Sequence, residues 1–342
     1  MSLRLKALSL LDRAKVIDLA IRAQEIVPLP FLRIVGYHRI GDPKVIAREV
    51  DEGVVDVSAA TFERHVEMLA RRFNVIGVEC LRRYIVDREP LPKNAALITF
   101  DDGYRECFDV ALPILKRHGV PGIFFISTEQ TGRRRAFWWD RIVYLFKRTR
   151  KSKVTIEYPE HITWDLELDR ADAVDVALRI VKRTFALDLD RYLEELSRAL
   201  DVPWTAEEEK RIADQTVLGW DELREMRRAG MDVQSHTATH RVLFTLPDDE
   251  LARELTLSKS TLEAELDEEI CAVAYPNGGS VGQHTKVGRA VRAAGYTLGF
   301  SGSGICRLGK ELDPLDLQRI STDIDLPDVY WRACVALPLA GA

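Results

Sequence analysis

Residues 95–127 read AALITFDDGYRECFDVALPILKRHGVPGIFFIS, and this stretch predicts the fold of the chain. Residues 95–100 form an apolar run without polar alternation, which is typical of a strand buried on both faces. Residues 104–118 have the periodicity of a helix, and Gly119 supplies the left-handed residue that commonly ends one. A second buried strand follows within 120–127, so the stretch predicts one strand–helix–strand unit of a parallel sheet.

The same pattern recurs along the chain. A helix over 221–229 ends at Gly230 before MDVQSH, and a helix over 285–294 ends at Gly295 before YTLGFS. Three further runs have the composition of buried strands: LRIVGYH (32–38), CAVAYP (271–276) and LQRIS (317–321). About seven or eight strands that alternate with helices predict a parallel α/β fold, either a barrel or an open sheet. Functional residues in such folds lie where strands end.

The pattern also predicts how the chain is organised. The α/β body covers 31–128 and 219–330, and a mainly helical insertion over 129–218 interrupts it as a candidate lid. Helical periodicity within the insertion covers three stretches: 168–186, 189–200 and 206–215. Residues 1–30 predict an amphipathic helix that packs on the body, and contact with a membrane surface is the alternative.

Composition excludes several classes of protein. The chain has 342 residues, 46% of them hydrophobic and 30% charged, so it can bury a large core. A net charge of −5 gives no reason to expect nucleic acid as a partner. The five cysteines form no CxxC pair, which argues against a disulfide scaffold or a zinc ribbon. No transmembrane span or secretory signal is visible in the sequence, so we expect a cytoplasmic protein, with the periphery of the inner membrane as the alternative.

Two motifs at predicted strand ends point to metal chemistry. Asp101 and Asp102 stand in TFDDGY (99–104), where one carboxylate can bind an ion while the other handles a proton. His236 and His240 stand in SHTATH (235–240), directly after another buried strand, and imidazoles at this spacing can bind one ion. A carboxylate with two imidazoles leaves a position for water, which is the usual arrangement of a hydrolytic metal site.

These motifs resemble those of the polysaccharide deacetylases, that is, the NodB-homology domain of carbohydrate esterase family 4. The resemblance rests on TFDDGY, the following helix and GIFFIS strand, SHTATH, and AYPNG (274–278), and it covers 31–128 and 219–322. The opening YHRI (37–40) is similar to the start of members that act on exopolysaccharide or cell-surface sugars. The resemblance implies a distorted (β/α) barrel of about seven parallel strands and a hydrolase that removes acetyl groups from N-acetylated sugars or polysaccharide precursors.

The resemblance also implies roles for individual residues. Asp101 is the general base, and Asp102, His236 and His240 bind a divalent ion, usually zinc, with cobalt or nickel as substitutes. A backbone N–H near Tyr275 donates to the oxyanion of the reaction intermediate.

Two positions depart from the pattern of the family. In many members the third motif, which here is AYPNG (274–278), contains an arginine that orients the base. This chain has no arginine there, and we predict that Arg319 in the last strand replaces it. No histidine follows that strand to protonate the leaving amine, and an acid is needed because an unprotonated amine leaves slowly. His38, at the end of the first strand, is the candidate; Asp101 acting a second time, with a structural role for His38, is the alternative.

The segment Arg133–Lys153 holds nine Lys or Arg residues and one Asp, interleaved with aromatic residues. One interpretation is a helix whose aromatic side chains pack on the barrel and whose basic face is solvated. The other is a lid in which Trp138 and Trp139 stack on sugar rings and Arg133–Arg135 meet a phosphate or uronate. Contact with anionic lipid is a further reading of the same segment.

Three functions fit the sequence as a whole. The leading hypothesis is the metal-dependent sugar deacetylase. The same scaffold can hydrolyse another small amide or an O-acetyl ester, because loops of a barrel determine its substrate. A carbohydrate-binding protein without turnover is the third, and the presence of all four residues of the base and the metal site argues against it.

Overall fold

The computed structural model describes residues 15–27, 29–282, 285–309, 312–325 and 327–337. Residues 1–14 of the predicted N-terminal helix lie outside this part of the chain. Helix α1 (Val16–Ile26) buries Ile17 and Ile21, and the Gln24 side-chain amide donates to the carbonyl of Ala336. The described part of the N-terminal segment therefore packs on the body through one face.

Seven parallel strands form a closed barrel, in which each strand pairs with the next and the last pairs with the first. They are β1 (Phe31–Tyr37), β2 (Ala95–Phe100), β3 (Ile123–Ile126), β4 (Asp232–Ser235), β5 (Ala272–Ala274), β6 (Leu298–Ser303) and β7 (Leu317–Ser321). Each strand overlaps a predicted apolar run, and the predicted distorted barrel is confirmed. The distortion lies on one side, where β4 and β5 share the single pair Ser235 and Val273.

Short strands and helices surround the barrel. Strands outside it are Arg39–Ile40 beside Val55–Val57, Asn74–Val75 beside β2, Cys306–Arg307 antiparallel to β1, and the hairpin Lys153–Ile156 with Ile162–Asp165. Helices are α2 (Pro43–Ile46), α3 (Ala59–Arg72), α4 (Val78–Val86), α5 (Leu112–His118), α6 (Thr128–Arg133), α7 (Trp138–Arg148), α8 (Arg170–Arg183), α9 (Leu189–Leu200), α10 (Ala206–Thr216), α11 (Trp220–Arg228), α12 (Asp248–Leu266), α13 (Lys286–Ala293) and α14 (Asp328–Ala336). A π-helical turn (Cys107–Ala111) precedes α5, and 3₁₀ turns cover Glu52–Val54, Leu243–Thr245 and Pro276–Gly278.

Segment 129–218 has an apolar core of its own. Side chains of α7 to α10 and of the hairpin pack together there, with Phe146, Trp164 and Tyr192 almost fully buried. This core reaches the barrel through Tyr104, which belongs to the TFDDGY motif. None of the described helices combines the length and hydrophobicity that a bilayer-spanning helix needs.

Candidate metal centre and active site

The two predicted motifs meet at the carboxyl ends of the barrel strands. Asp102 follows β2, whereas His236 and His240 lie in the loop after β4. The Nε2 atoms of His236 and His240 lie 3.3 and 3.1 Å from Asp102 Oδ1. All three side chains are buried, and their candidate ligand atoms lie within 4.8 Å of one another. Folding thus brings together the three residues that the resemblance assigns to the metal.

Hydrogen bonds orient the histidine loop. His236 Nδ1 lies 2.9 Å from the carbonyl oxygen of Ala274, and a proton on Nδ1 leaves Nε2 free to bind an ion. The buried carboxylate of Glu254, on α12, accepts from the backbone N–H of Thr239 at 2.8 Å. The loop is therefore supported both from the barrel and from the helix that follows it.

Four non-glycine residues at this end of the barrel have a left-handed backbone: Asp102 (φ 72°), Thr237 (φ 65°), His240 (φ 58°) and Asn277 (φ 60°). Residues other than glycine rarely adopt this conformation, so the surrounding structure must hold each of them. The His240 N–H, for example, donates to Thr237 Oγ1 at 3.2 Å. Backbone strain collects at functional sites, and its concentration here supports this end of the barrel as one.

The three side chains fit a divalent cation. Asp102 Oδ1 is buried and has no hydrogen-bond partner among the described residues, as expected of an atom that binds an ion. Ligand atoms that bind one tetrahedral zinc ion at about 2.0–2.2 Å lie about 3.3 Å apart, close to the distances from Asp102 to the two histidines. Burial raises the pKa of Asp102, but the neighbouring imidazoles of His236 and His240 hold it well below its ordinary value, so the carboxylate is ionised.

The first aspartate of the motif, Asp101, pairs with Arg319 of β7. The Arg319 Nη1 and Nη2 atoms donate to Asp101 Oδ1 and Oδ2 at 2.6 and 2.7 Å, and its Nε donates to the Ser301 carbonyl at 2.9 Å. Burial raises the pKa of Asp101, but the Arg319 guanidinium together with His236 and His38 lowers it by more, so the net pKa is below its ordinary value. Arg319 therefore lies beside the candidate base, and its role in orienting that base stays a prediction.

His38 lies beside this pair at the cavity wall. Its Nε2 lies 4.0 Å from Asp101 Oδ2, and its Nδ1 lies 3.2 Å from the buried carboxylate of Asp56. The Asp56 carboxylate also accepts from the His38 backbone N–H. Burial alone would lower the pKa of His38, but the carboxylates of Asp56, Asp102 and Asp101 together raise it to about 10. The raised pKa favours the protonated imidazolium, which is the form that an acid must have.

Tyr275 lies in the core rather than at the site. Its backbone N–H donates to the Phe300 carbonyl at 2.9 Å, and its hydroxyl donates to the Leu315 carbonyl at 2.7 Å. Because that N–H is already bonded within the barrel, it is not available to a substrate in this structure. Asn277 and Gly278, in the 3₁₀ turn that follows, line the cavity instead.

The two tryptophans of α7 line the cavity but are only about 4% and 5% exposed, for Trp138 and Trp139 respectively. The Trp138 Nε1 donates to the backbone carbonyl of His240 at 3.1 Å. The Trp139 ring packs against the His240 imidazole with centroids 4.3 Å apart, and its Nε1 donates to the Tyr104 hydroxyl at 2.7 Å. These contacts favour a role in holding His240, since little of either ring is left for a sugar to stack on.

Trp139→Ala should therefore destabilise the protein and weaken its metal site. Loss of a buried tryptophan costs about 3–5 kcal/mol of the free energy of unfolding. Loss of the packing on a ligand should lower metal affinity about 10–100-fold. Thermal melting and zinc titration against a competing chelator measure the two effects.

Trp164→Ala is the matched control, because Trp164 is buried in the same segment but packs on Phe146. It should lower the melting temperature without changing metal affinity. A stable Trp139→Ala protein that loses activity only on long acetylated substrates would instead support the stacking role predicted from the sequence.

Asp101 and Asp102 line an open cavity of about 540 Å³, and this volume is within the usual range for ligand sites. Sequence reasoning missed Asp56, Asn277 and Lys182 at or beside this cavity. Asn277 is the fourth residue of the AYPNG motif, and its position after a strand was a usable signal. Asp56 lies in a short strand and Lys182 in an amphipathic helix, and neither has a local pattern that marks it.

Comparison with known proteins identifies the family. The sequence model of the polysaccharide deacetylases matches residues 88–167 and 188–299, which together make up more than half of the chain. The protein belongs to the polysaccharide deacetylase family and is a hydrolase of the type that acts on amide bonds of N-acetylated sugars. The predicted resemblance is thereby confirmed. The match includes much of segment 129–218, which we had placed outside it.

Solved structures share the fold. Streptococcus pyogenes deacetylase PplD, determined in complex with acetate, is 18% identical with a TM-score of 0.55, covering 88% of this chain and 96% of its own. IcaB from Ammonifex degensii is 18% identical with a TM-score of 0.54, covering 90% and 96%. The Bacillus cereus polysaccharide deacetylase BC0361 is 16% identical with a TM-score of 0.53, covering 90% and 69%. No curated protein matches the chain in sequence.

Proposed function

We propose that this protein is a metal-dependent deacetylase that removes the acetyl group from an N-acetylated sugar of a glycan or polysaccharide precursor. One observation carries the proposal: the Asp102, His236 and His240 group lies directly beside the Asp101–Arg319 pair in an open cavity. Zinc is the ion that we propose, because two imidazoles and one carboxylate suit it.

Each step of the reaction has a candidate residue. An ion held by Asp102, His236 and His240 would supply Lewis-acid chemistry for a water molecule and for the acetyl carbonyl. Asp101 accepts a proton from the attacking water as the new C–O bond forms, and Arg319 keeps this carboxylate ionised and oriented. The tetrahedral intermediate then carries its negative charge on the former carbonyl oxygen.

Collapse of the intermediate needs an oxyanion donor and an acid. We assign the donor to the Asn277 N–H, because Asn277 lines the cavity whereas the Tyr275 N–H is bonded to Phe300. His38 donates a proton to the sugar nitrogen as the C–N bond breaks, and acetate and a free amine leave. The Asp56 carboxylate orients His38 and favours its protonated form.

Acetate release tests the proposal directly. The purified protein is stripped with a chelator, reloaded with zinc, cobalt or nickel, and assayed on N-acetylhexosamines, their oligomers and O-acetyl sugars. Release of acetate from an N-acetylated sugar that depends on the added ion supports the proposal. Equal rates with and without the ion contradict it, and binding of sugars without any acetate release would identify a non-catalytic protein.

His38→Ala should reduce amide hydrolysis about 10²-fold and aryl acetate hydrolysis far less, because an amine must be protonated to leave whereas a phenolate leaves unaided. An acid acts only below its pKa, and the neighbouring carboxylates raise the pKa of His38. Amide turnover by the parent should therefore be lost as the pH rises through the pKa of His38. The pH profile of kcat/KM for aryl acetates should not show this loss at high pH.

Asp56→Asn is the matched variant for this test. It removes a charge that raises the pKa of His38, so the loss of amide turnover should begin at lower pH than in the parent. Equal losses on amide and ester in His38→Ala would show that His38 is structural, and Asp101 would then have to return the proton.

A further inference from the structure

Two charged residues of the cavity wall have no part in the proposed chemistry: Asp51 and Lys182. Asp51 is held within its own turn, where its Oδ1 accepts from the Gly53 N–H at 2.8 Å. Lys182 lies in the last turn of α8, and its side chain is exposed. Within the part of the chain that the structure describes, no carboxylate forms an ion pair with it. Burial raises the pKa of Asp51 and the charge of Lys182 lowers it, so the Lys182 ammonium group lies near this carboxylate at the cavity wall.

The arginines predicted to meet a phosphate or uronate are neutralised within the protein. Each of the three pairs with a carboxylate: Arg133 with Glu129 at 2.7 Å, Arg134 with Asp214 at 3.0 Å, and Arg135 with Glu209 at 3.3 Å. Their charges stabilise the contacts of segment 129–218. The cation that this segment offers to the cavity is Lys182 instead.

The position of Lys182 at the end of a helix does not by itself explain why a lysine lines the cavity. Cations in the last turn stabilise the helix dipole, and this effect suffices for Arg183, which does not line the cavity. Lys182 lines the cavity together with the candidate base Asp101 and the ligand His240. A substrate that places its acetyl group at the metal site therefore has Lys182 on the wall around it.

Exposed aromatic residues continue the surface beyond Lys182. Phe185 is 61% and Phe244 49% exposed, and their chain segments are joined by the bond from the Ala186 N–H to the Thr245 carbonyl at 2.8 Å. Phe244 also lies against Gly279, next to the cavity wall. Lys286 Nζ lies 5.8 Å from the centre of the Phe185 ring, so this exposed surface beside the cavity offers aromatic rings, which can stack on sugars, together with a second cation.

We propose that Lys182 selects N-acetylated substrates that carry an oxyanion, either a carboxylate or a phosphate, on the reacting sugar or on its neighbour. The inference rests on the proposed function, because it names the substrate class of the same site. A lysine ammonium is a compact charge with rotatable donors, and it binds either oxyanion without the planar geometry that arginine imposes.

Kinetics on matched substrates test this role. Acetate release is measured for a neutral methyl glycoside of N-acetylglucosamine, for N-acetylglucosamine 6-phosphate, and for an N-acetylated disaccharide that carries a uronic acid. The parent should prefer at least one anionic substrate. Lys182→Ala should raise KM for that substrate about 3- to 10-fold with little change in kcat or in the neutral substrate. Lys182→Glu should raise this KM further, and Lys182→Arg should return it to the value of the parent.

Arg179→Ala is the control, because Arg179 lies one turn away on α8 and does not line the cavity. It should leave all three substrates unchanged. A preference for the phosphate or for the uronate alone identifies which oxyanion is bound. No preference in the parent, or a preference that survives in Lys182→Glu, overturns the proposal.

A binding measurement separates this proposal from the proposed function. Calorimetry of N-acetylglucosamine 6-phosphate with chelator-treated parent and Lys182→Glu needs neither metal nor turnover. Weaker binding by the variant supports the role of Lys182 even if no acetate is released. Equal binding by the two proteins, both of this ligand and of the disaccharide that carries a uronic acid, contradicts it even if the enzyme is an active deacetylase.

Discussion

Asp101→Asn should lower kcat/KM for deacetylation by about 10²–10⁴-fold, the range for loss of a general base, while the protein keeps its metal. The asparagine keeps the size of the side chain and can still accept one hydrogen bond from Arg319. It cannot take a proton from water at neutral pH. Steady-state kinetics and metal analysis of the same preparation measure the two properties.

Asp102→Asn is the matched control for this variant, because it changes the adjacent carboxylate in the same way. It should lose metal affinity as well as activity. Equal loss of metal in both variants would mean that the roles of the two aspartates are wrongly assigned. An active Asp101→Asn enzyme would exclude Asp101 as the base.

His240→Ala should remove tight zinc binding and reduce deacetylation about 10³-fold or more. Lewis-acid activation contributes several kcal/mol to such reactions, and each 1.36 kcal/mol is a factor of ten in rate. The variant also leaves the ionised Asp102 beside one imidazole instead of two. Zinc content after dialysis and acetate release with excess zinc are the measurements.

His161→Ala serves as the control, because His161 is an exposed histidine of the hairpin turn in segment 129–218, where its Nδ1 lies 3.0 Å from Glu157 Oε2. Its zinc content and activity should equal those of the parent. If His240→Ala binds zinc as tightly as the parent, His240 is not a ligand, and the proposed metal centre is wrong.

The barrel strands and the candidate ligands could be predicted because their signals are local. β2 and β3 are apolar without alternation, which marks strands covered on both faces, and Gly119 marks the end of the helix between them. Asp102 and His236 stand just after strands. Since parallel strands end on the same side of a barrel, this position alone predicts that the two side chains meet.

Contacts between distant segments could not be derived with the same certainty. Arg319 reaches Asp101 across 218 residues, and its pairing depends on the register of β7, so the sequence offered it only as a candidate. Asp56 had no visible pattern, although it holds His38. The Tyr275 N–H was predicted as a donor, but its bond to Phe300 depends on how β5 pairs with β6.

The sequence by itself determined which runs form the barrel strands, and that the candidate metal ligands follow the ends of two of them. Tertiary structure alone decided that Trp139 packs on His240 and that Lys182 faces the cavity while Arg133–Arg135 are paired. The physical reason is the separation along the chain over which each effect acts. Burial and periodicity act on neighbouring residues, whereas the partner of a charged or aromatic side chain depends on the path of every loop that separates the two.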